Sequence, residues 1–256
     1  MARLRRIGSE ATAAYRTFLR RRTAVFFTFF FPILLIVIFA GLVRTQGGAG
    51  GIFSRPAGYY LPGYLGTVVL FTPLSRVSSE VARYRDGNRF QKLATTPLSK
   101  LEWLAAQTAV NVLLIGVASV VLVIALWLLG GEFALSWWIV PYIVVGSTVF
   151  CGVGSLIGRA TSSQDGAISM ANGIALPLLF LSDAFIPISL FPTWFRPFPM
   201  LSPLTYFARG VRAATYSGGS VGPYLGQYGP TGYFLVLVGL AVVAFVWGAR
   251  APRWRS

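Results

Sequence analysis

Residues Glu80 to Gln107 read "EVARYRDGNRFQKLATTPLSKLEWLAAQ", a charged and turn-punctuated segment with apolar sequence on both sides. Arg76, Glu80, Arg83 and Asp86 bring opposite charges together at helical spacing, so the helix that enters this segment is expected to continue through it. Gly87-Asn88 is a natural helix stop and turn. Arg89 to Thr95 can form a short helix with Phe90, Leu93 and Ala94 on one side, which Pro97 breaks. Ser99, followed three residues later by Glu102, has the spacing of a capping box that starts the next helix. Helix, turn, short helix, proline break and capped helix describe a rigid elbow. A floppy linker would lack these stops.

The sequence around the elbow decides the class. Of the 256 residues, 55% are hydrophobic and 11% charged, too few charges to cover a soluble domain of this length. Several uncharged stretches reach the roughly 18 residues that cross a bilayer as helix. The expected fold is therefore an all-α polytopic membrane protein with six transmembrane helices, roughly Thr23–Val43, Ala57–Ser75, Leu104–Leu129, Trp137–Gly158, Gly166–Ile188 and Pro230–Ala249. Short alternating strands, the mark of a transmembrane barrel, do not occur. The second span is peppered with Gly58, Pro62, Gly63, Gly66 and Pro73, which membrane helices tolerate when neighbours satisfy the freed backbone. The basic N-terminus leads into a run too long for a signal peptide, so the first span reads as retained.

Charge placement orients the spans. With six spans, Arg3, Arg5, Arg6, Arg16, Arg20, Arg21, Arg22, Arg76, Arg83, Arg85, Arg89, Lys92, Lys100, Arg159, Arg250, Arg253 and Arg255 share one side. Arg44, Arg55, Arg196, Arg209 and Arg212 fall on the other. The positive-inside rule puts the elbow and both termini in the cytoplasm. The net charge of +15 thus hugs span ends, where anionic lipid headgroups attract it, and no nucleic-acid-binding module accompanies it. Leu4, Ile7, Ala11, Tyr15 and Phe18 recur at helical spacing among Arg3, Arg6, Glu10 and Arg20, which predicts an amphipathic helix over 3–22 lying in the membrane interface.

Several chemistries are excluded. There is no histidine, and the one cysteine, Cys151, allows no internal disulfide. Lys92 and Lys100, the only lysines, follow no glycine-rich phosphate-binding pattern, so ATP hydrolysis by that route is absent. The seven acidic residues form no catalytic pair. Asp183, near the outer end of the fifth span, reads as an interfacial carboxylate facing water. Gly154 and Gly158 make a GxxxG match, a weak signal among 28 glycines. What remains is a membrane body driven by something else, or an ion-coupled or channel-type transporter that acts alone. A membrane-embedded enzyme would need a catalytic cluster.

The elbow resembles the loop between the second and third spans of ABC-2 type permeases, the membrane subunits of ABC exporters. The matching features are Glu80, Gly87, Leu93 and Thr96-Pro97-Leu98-Ser99. A second stretch, "FLSDAFIPISLFPTWFRPFPMLSPLTYFARGVRA" (Phe180–Ala213), is similar to the family's segment between the fifth and sixth spans. Asp183 stands where that family usually has Gly, Ser202 where it has Asn, and Arg209 at a position often acidic; Asn88-Arg89-Phe90 replaces a usual Thr-Leu-Glu. The resemblance implies one ABC-2 type transmembrane domain over 1–256, paired with a cytoplasmic ABC ATPase and a second permease, identical or paralogous, in the cell membrane. This chain would bind no cofactor, ATP and Mg belonging to the partner. The loop over 80–103 would be a coupling helix contacting the ATPase through Glu80, Arg83, Asp86, Gly87, Phe90, Leu93, Thr95, Thr96, Pro97 and Leu98. The segment over 187–213 would form short external or re-entrant helices capping the path, with Ser182, Asp183, Pro187, Trp194, Pro203, Tyr206 and Arg212 as the gate residues.

Overall fold

Within a bilayer every backbone N–H and C=O must find its partner inside the chain, and helices meet that demand one segment at a time. The computed structural model describes residues 2–20, 56–128, 130, 132–216 and 228–252, together with Arg22, Val25, Phe26, Phe30, Ile33, Leu34, Val37 and Ile38. The remainder of the expected first span, Thr23–Val43, lies outside the described residues. Eight α-helices occur among those described: α1 (Ala2–Leu19), α2 (Leu61–Asp86), α3 (Arg89–Ala94), α4 (Lys100–Leu128), α5 (Ile139–Ala160), α6 (Gln164–Leu181), α7 (Pro203–Thr215) and α8 (Gly229–Arg250). Single 3-10 turns lie at Ala57–Tyr60, Ile188–Leu190 and Phe198–Leu201. Among the described residues three helices, α4, α5 and α8, are long and apolar enough to cross a membrane.

Helix α5 sits between α2 and α8, and its glycines let both neighbours approach at backbone distance. A Cβ on Gly158 would stand 2.4 Å from the Ser78 carbonyl oxygen of α2, and one on Gly152 would stand 2.2 Å from that of Ala244 in α8. On the α8 side the fit is reciprocal, since a Cβ on Gly248 would meet the Gly152 carbonyl at 2.5 Å. Ser155 adds a hydrogen bond, its Oγ donating to the Gly248 carbonyl at 2.7 Å. The weak GxxxG signal of Gly154 and Gly158 is thus a real packing face, directed at Leu74 and Ser78 of α2. Above this seam Leu65, Val69, Tyr142, Phe150, Leu204 and Phe207 fill the main core.

Two expected boundaries shift. The second helix starts at Leu61, after the 3-10 turn, rather than at Ala57, and it continues past Ser75 to Asp86 as its charge spacing predicts. The fifth ends at Leu181 rather than near Ile188. There Ser182 turns extended and its Oγ donates back to the Leu179 carbonyl at 2.6 Å, closing the last turn.

Helix α1 packs against both α4 and α2. Arg6 bonds Glu102 near the start of α4, and twelve residues later Phe18 is buried with Val110 and Leu114. Against α2 the order is reversed: Glu10 meets Tyr84, and Phe18 lies under the Arg76 guanidinium at 5.8 Å. The apolar stripe is therefore spent on helix packing at Ala14 and Phe18, while Leu4 stays exposed.

The backbone contact at Gly152 should tolerate no side chain. Gly152→Ala is expected to cost about 1–3 kcal/mol by overpacking. Gly116→Ala in α4, where nothing stands within 4 Å of the added methyl, should gain up to about 1 kcal/mol from helix propensity. Thermal unfolding of the two purified variants in detergent measures both.

Candidate functional site

The elbow is built by local bonds that the sequence spells out. Helix α2 ends at Asp86, where the Gly87 N–H donates back to the Arg83 carbonyl at 3.0 Å. Asn88 follows with φ +51°, a left-handed conformation that asparagine tolerates better than most residues. Helix α3 is closed by Thr95 and Thr96, whose Oγ1 atoms donate to the Lys92 and Leu93 carbonyls at 2.8 and 2.7 Å. After Pro97 the capping box is complete in both directions. The Ser99 N–H donates to Glu102 Oε2 at 2.8 Å, and the Glu102 N–H donates to Ser99 Oγ at 3.2 Å.

A packed aromatic triangle turns these pieces into one body. The Phe90 ring lies 5.3 Å from both Tyr84 and Trp103, which are 5.6 Å from each other. Leu93, Ala94 and Leu98 pack against the same cluster. The guanidinium groups of Arg83 and Arg89 lie over the Tyr84 ring at 5.5 and 5.6 Å. Helix α1 then ties into both ends of the elbow. Arg6 Nη2 donates to the second oxygen of the capping carboxylate Glu102 at 2.6 Å, and the Tyr84 hydroxyl donates to Glu10 at 3.3 Å. Burial raises the Glu10 carboxyl above the ordinary glutamate range, opposed by its Tyr84 bond and reinforced by the charge of Glu80. Burial, with the nearby charges of Glu10 and Glu80, likewise pushes the Tyr84 hydroxyl up to about 12.

Ten elbow residues were expected to contact a partner, and the structure divides them. Phe90 and Glu80 turn inward: Phe90 is 2% exposed within the triangle, and Glu80 is buried and ion-paired with Arg83. The elbow uses this side for its own attachment. Leu93 and Leu98 are half-buried on that same side. Asp86, Gly87, Thr95, Thr96 and Pro97 are exposed, and so are Arg89 and Lys92 between them.

At the opposite end of the bundle lies a second constellation. Asp183, expected to face water, is 1% exposed and receives the Arg209 Nε at 2.6 Å. Arg212, one turn further along α7, donates to the Asp183 and Ala184 carbonyls at 3.0 and 2.9 Å and to that of Tyr59 at 3.3 Å. Its guanidinium also lies 4.2 Å from the Tyr59 ring centre. Two arginines of α7 thereby converge on the turn that follows α6, where helix-end carbonyls favour cations. Pro203 starts α7, and the Tyr206 hydroxyl donates to the Met200 carbonyl at 2.8 Å. Pro187 leads into the Ile188–Leu190 turn, and Trp194 is well exposed, apart from the charge cluster. Helix α7 itself is sunk into the core through Leu204, Phe207, Ala208 and Val211.

The sequence profile of ABC-2 type transporters matches residues 10–216, a stretch that contains both constellations. The chain belongs to the ABC-2 transporter family. It is a permease, the integral membrane subunit of an ABC transporter, and belongs to the part of such a transporter that carries solute rather than hydrolysing ATP. No curated protein matches the chain.

The permease's Arg209 is the residue that sequence reasoning passed over. Its signal was present, since Asp183 and Arg209 both depart from the family pattern and carry opposite charges. Their pairing shows that one departure answers the other. Arg6 and Tyr59 were missed for a different reason: their contacts lie 96 and 153 residues away along the chain, and nothing local marks them.

Removing one member of the Asp183–Arg209 pair should cost about 3–5 kcal/mol, because the other charge stays buried without its partner. In the permease, Asp183→Leu alone is expected to unfold well below the wild type, and Asp183→Leu with Arg209→Met should regain most of the loss. A double-mutant cycle of unfolding midpoints measures the coupling.

Proposed function

We propose that this permease is driven by a separate cytoplasmic ABC ATPase that seats on the elbow, and that it exports a hydrophobic or amphipathic solute. The observation that carries the reading is the division of the elbow into a buried aromatic side and an outward polar side. Phe90 anchors it inward, while Lys92, Thr96, Pro97 and Arg89, whose guanidinium also covers Tyr84, are exposed. A surface so rigidly backed transmits a push. Displacement of α3 passes through the Tyr84–Phe90–Trp103 triangle into α2 and α4, and through Glu102 and Arg6 into α1.

In this reading the chain spans the cell membrane six times with both termini in the cytoplasm, as its arginine distribution favours. Two permeases, identical or paralogous, form the path. ATP and Mg are held by the ATPase. The segment over 187–213 caps the path on the outer side, with the Asp183–Arg209 pair joining α6 to α7 and Arg212 holding the turn to Tyr59. The weakly polar spans suit a drug, a lipid or a lipid-linked glycan.

Charge reversal on the outward face tests the seat directly. Arg89→Glu with Lys92→Glu should abolish co-purification of the ATPase while leaving the permease's unfolding midpoint within the range of ordinary surface changes, about 0.5 kcal/mol. Retention of the ATPase by that variant, or transport that persists in ATP-depleted vesicles, contradicts the proposal.

A further inference from the structure

Between α4 and α5 runs a polar seam, which adjoins the cluster behind the elbow at Cys151. The two helices are antiparallel here, and Asn111 of α4 meets Cys151 of α5, its Nδ2 donating to Sγ at 3.5 Å. Gln107 lies one helical turn from Asn111 on the same face, and Ser147 one turn from Cys151. All four are enclosed: Gln107 is 1% exposed, and Asn111, Ser147 and Cys151 are 0%. Yet both head-group atoms of Gln107, Oδ1 of Asn111 and Oγ of Ser147 have no hydrogen-bond partner among the described residues.

Unmatched amides inside a membrane helix are costly, and polar residues there point to a functional site. The seam's chemistry also specifies what it takes. Gln107 offers a donor and an acceptor, Asn111 an acceptor and Ser147 either, and none of the four side chains is ionised. That set suits a neutral group able to donate and accept at once.

We propose that the α4–α5 seam is an intramembrane binding site for a neutral hydrogen-bonding group, either the hydroxyl or amide of a transported solute or water. The site is a property of the permease itself and does not depend on ATP drive.

Cys151 is the chain's only cysteine, so the seam carries its own probe. The full-length permease, reconstituted in vesicles, is treated with 2-hydroxyethyl methanethiosulfonate or with its methyl analogue, and labelling is followed by intact mass. The hydroxyethyl-to-methyl rate ratio isolates hydrogen bonding from mere access. Gln107→Leu, which removes side-chain atoms that make no hydrogen bond among the described residues, is expected to lower that ratio about tenfold, the worth of about one net hydrogen bond. Asn111→Leu should act in the same direction, and Leu113→Ala, on the exposed side of α4, should leave the ratio unchanged. Ethylene glycol distinguishes the occupants: competition with the hydroxyethyl reagent identifies a solute-type hydroxyl, and its absence identifies water. A ratio equal in wild type and Gln107→Leu overturns the proposal. So does a Cys151 that reacts only after unfolding in detergent, or a Gln107→Leu variant that unfolds at a clearly higher temperature than wild type.

Discussion

The backbone-to-backbone approach of α5 to α2 and α8 sets the geometry on which the rest of the structure hangs. Lipid supplies no hydrophobic force between helices, so helices that must stay together rely on close dispersion contact and on hydrogen bonds across the gap. Gly152, Gly158 and Gly248 permit that contact by having no side chain, and Ser155 exploits it with a bond to the Gly248 carbonyl. Because α2 is held at this distance along its length, both of its ends are fixed in space. One end carries the elbow and the other leads back to Tyr59, against which Arg212 is seated.

The two ends of the bundle solve the same mechanical problem with different chemistry. At the elbow, where water is near, aromatic packing and a capping box give stiffness, and charges are arranged mainly as neighbours on one surface. At the opposite end the turn after α6 is enclosed, so its stiffness comes from a buried ion pair and from a guanidinium spread over three carbonyls. A buried pair of this kind is a register device more than a source of stability: it specifies which turn of α7 meets which residue of the following loop. The placement of α1 adds a third tie. By giving Glu102 two roles, cap of α4 and acceptor for Arg6, the fold couples a helix terminus to a neighbouring element through a single carboxylate.

Legibility in the sequence followed the range of the interactions. The elbow was readable almost bond by bond, since Gly87, Asn88, Pro97 and the Ser99–Glu102 box act within four residues of themselves. The inward turn of Phe90 was not, because its partners Tyr84 and Trp103 are brought to it only when α2 and α4 are folded side by side. Asp183 shows the same division. A carboxylate near the end of a span faces water by default, and only the sinking of α7 into the core supplies the arginine that lets it be buried. The amphipathic pattern of α1 was correct as a pattern but silent about its partner, for an apolar stripe fits a membrane surface and a helix pair equally well.

Composition and charge placement, which need no tertiary information, therefore determined the class of this protein, its run of apolar helices and the local construction of the elbow. Which faces of those helices meet, which side of the elbow is left exposed, and which charges are buried together were decided by tertiary structure alone. Those outcomes depend on contacts between residues as far apart as Tyr59 and Arg212, and nothing in the adjacent sequence of either residue carries that distance.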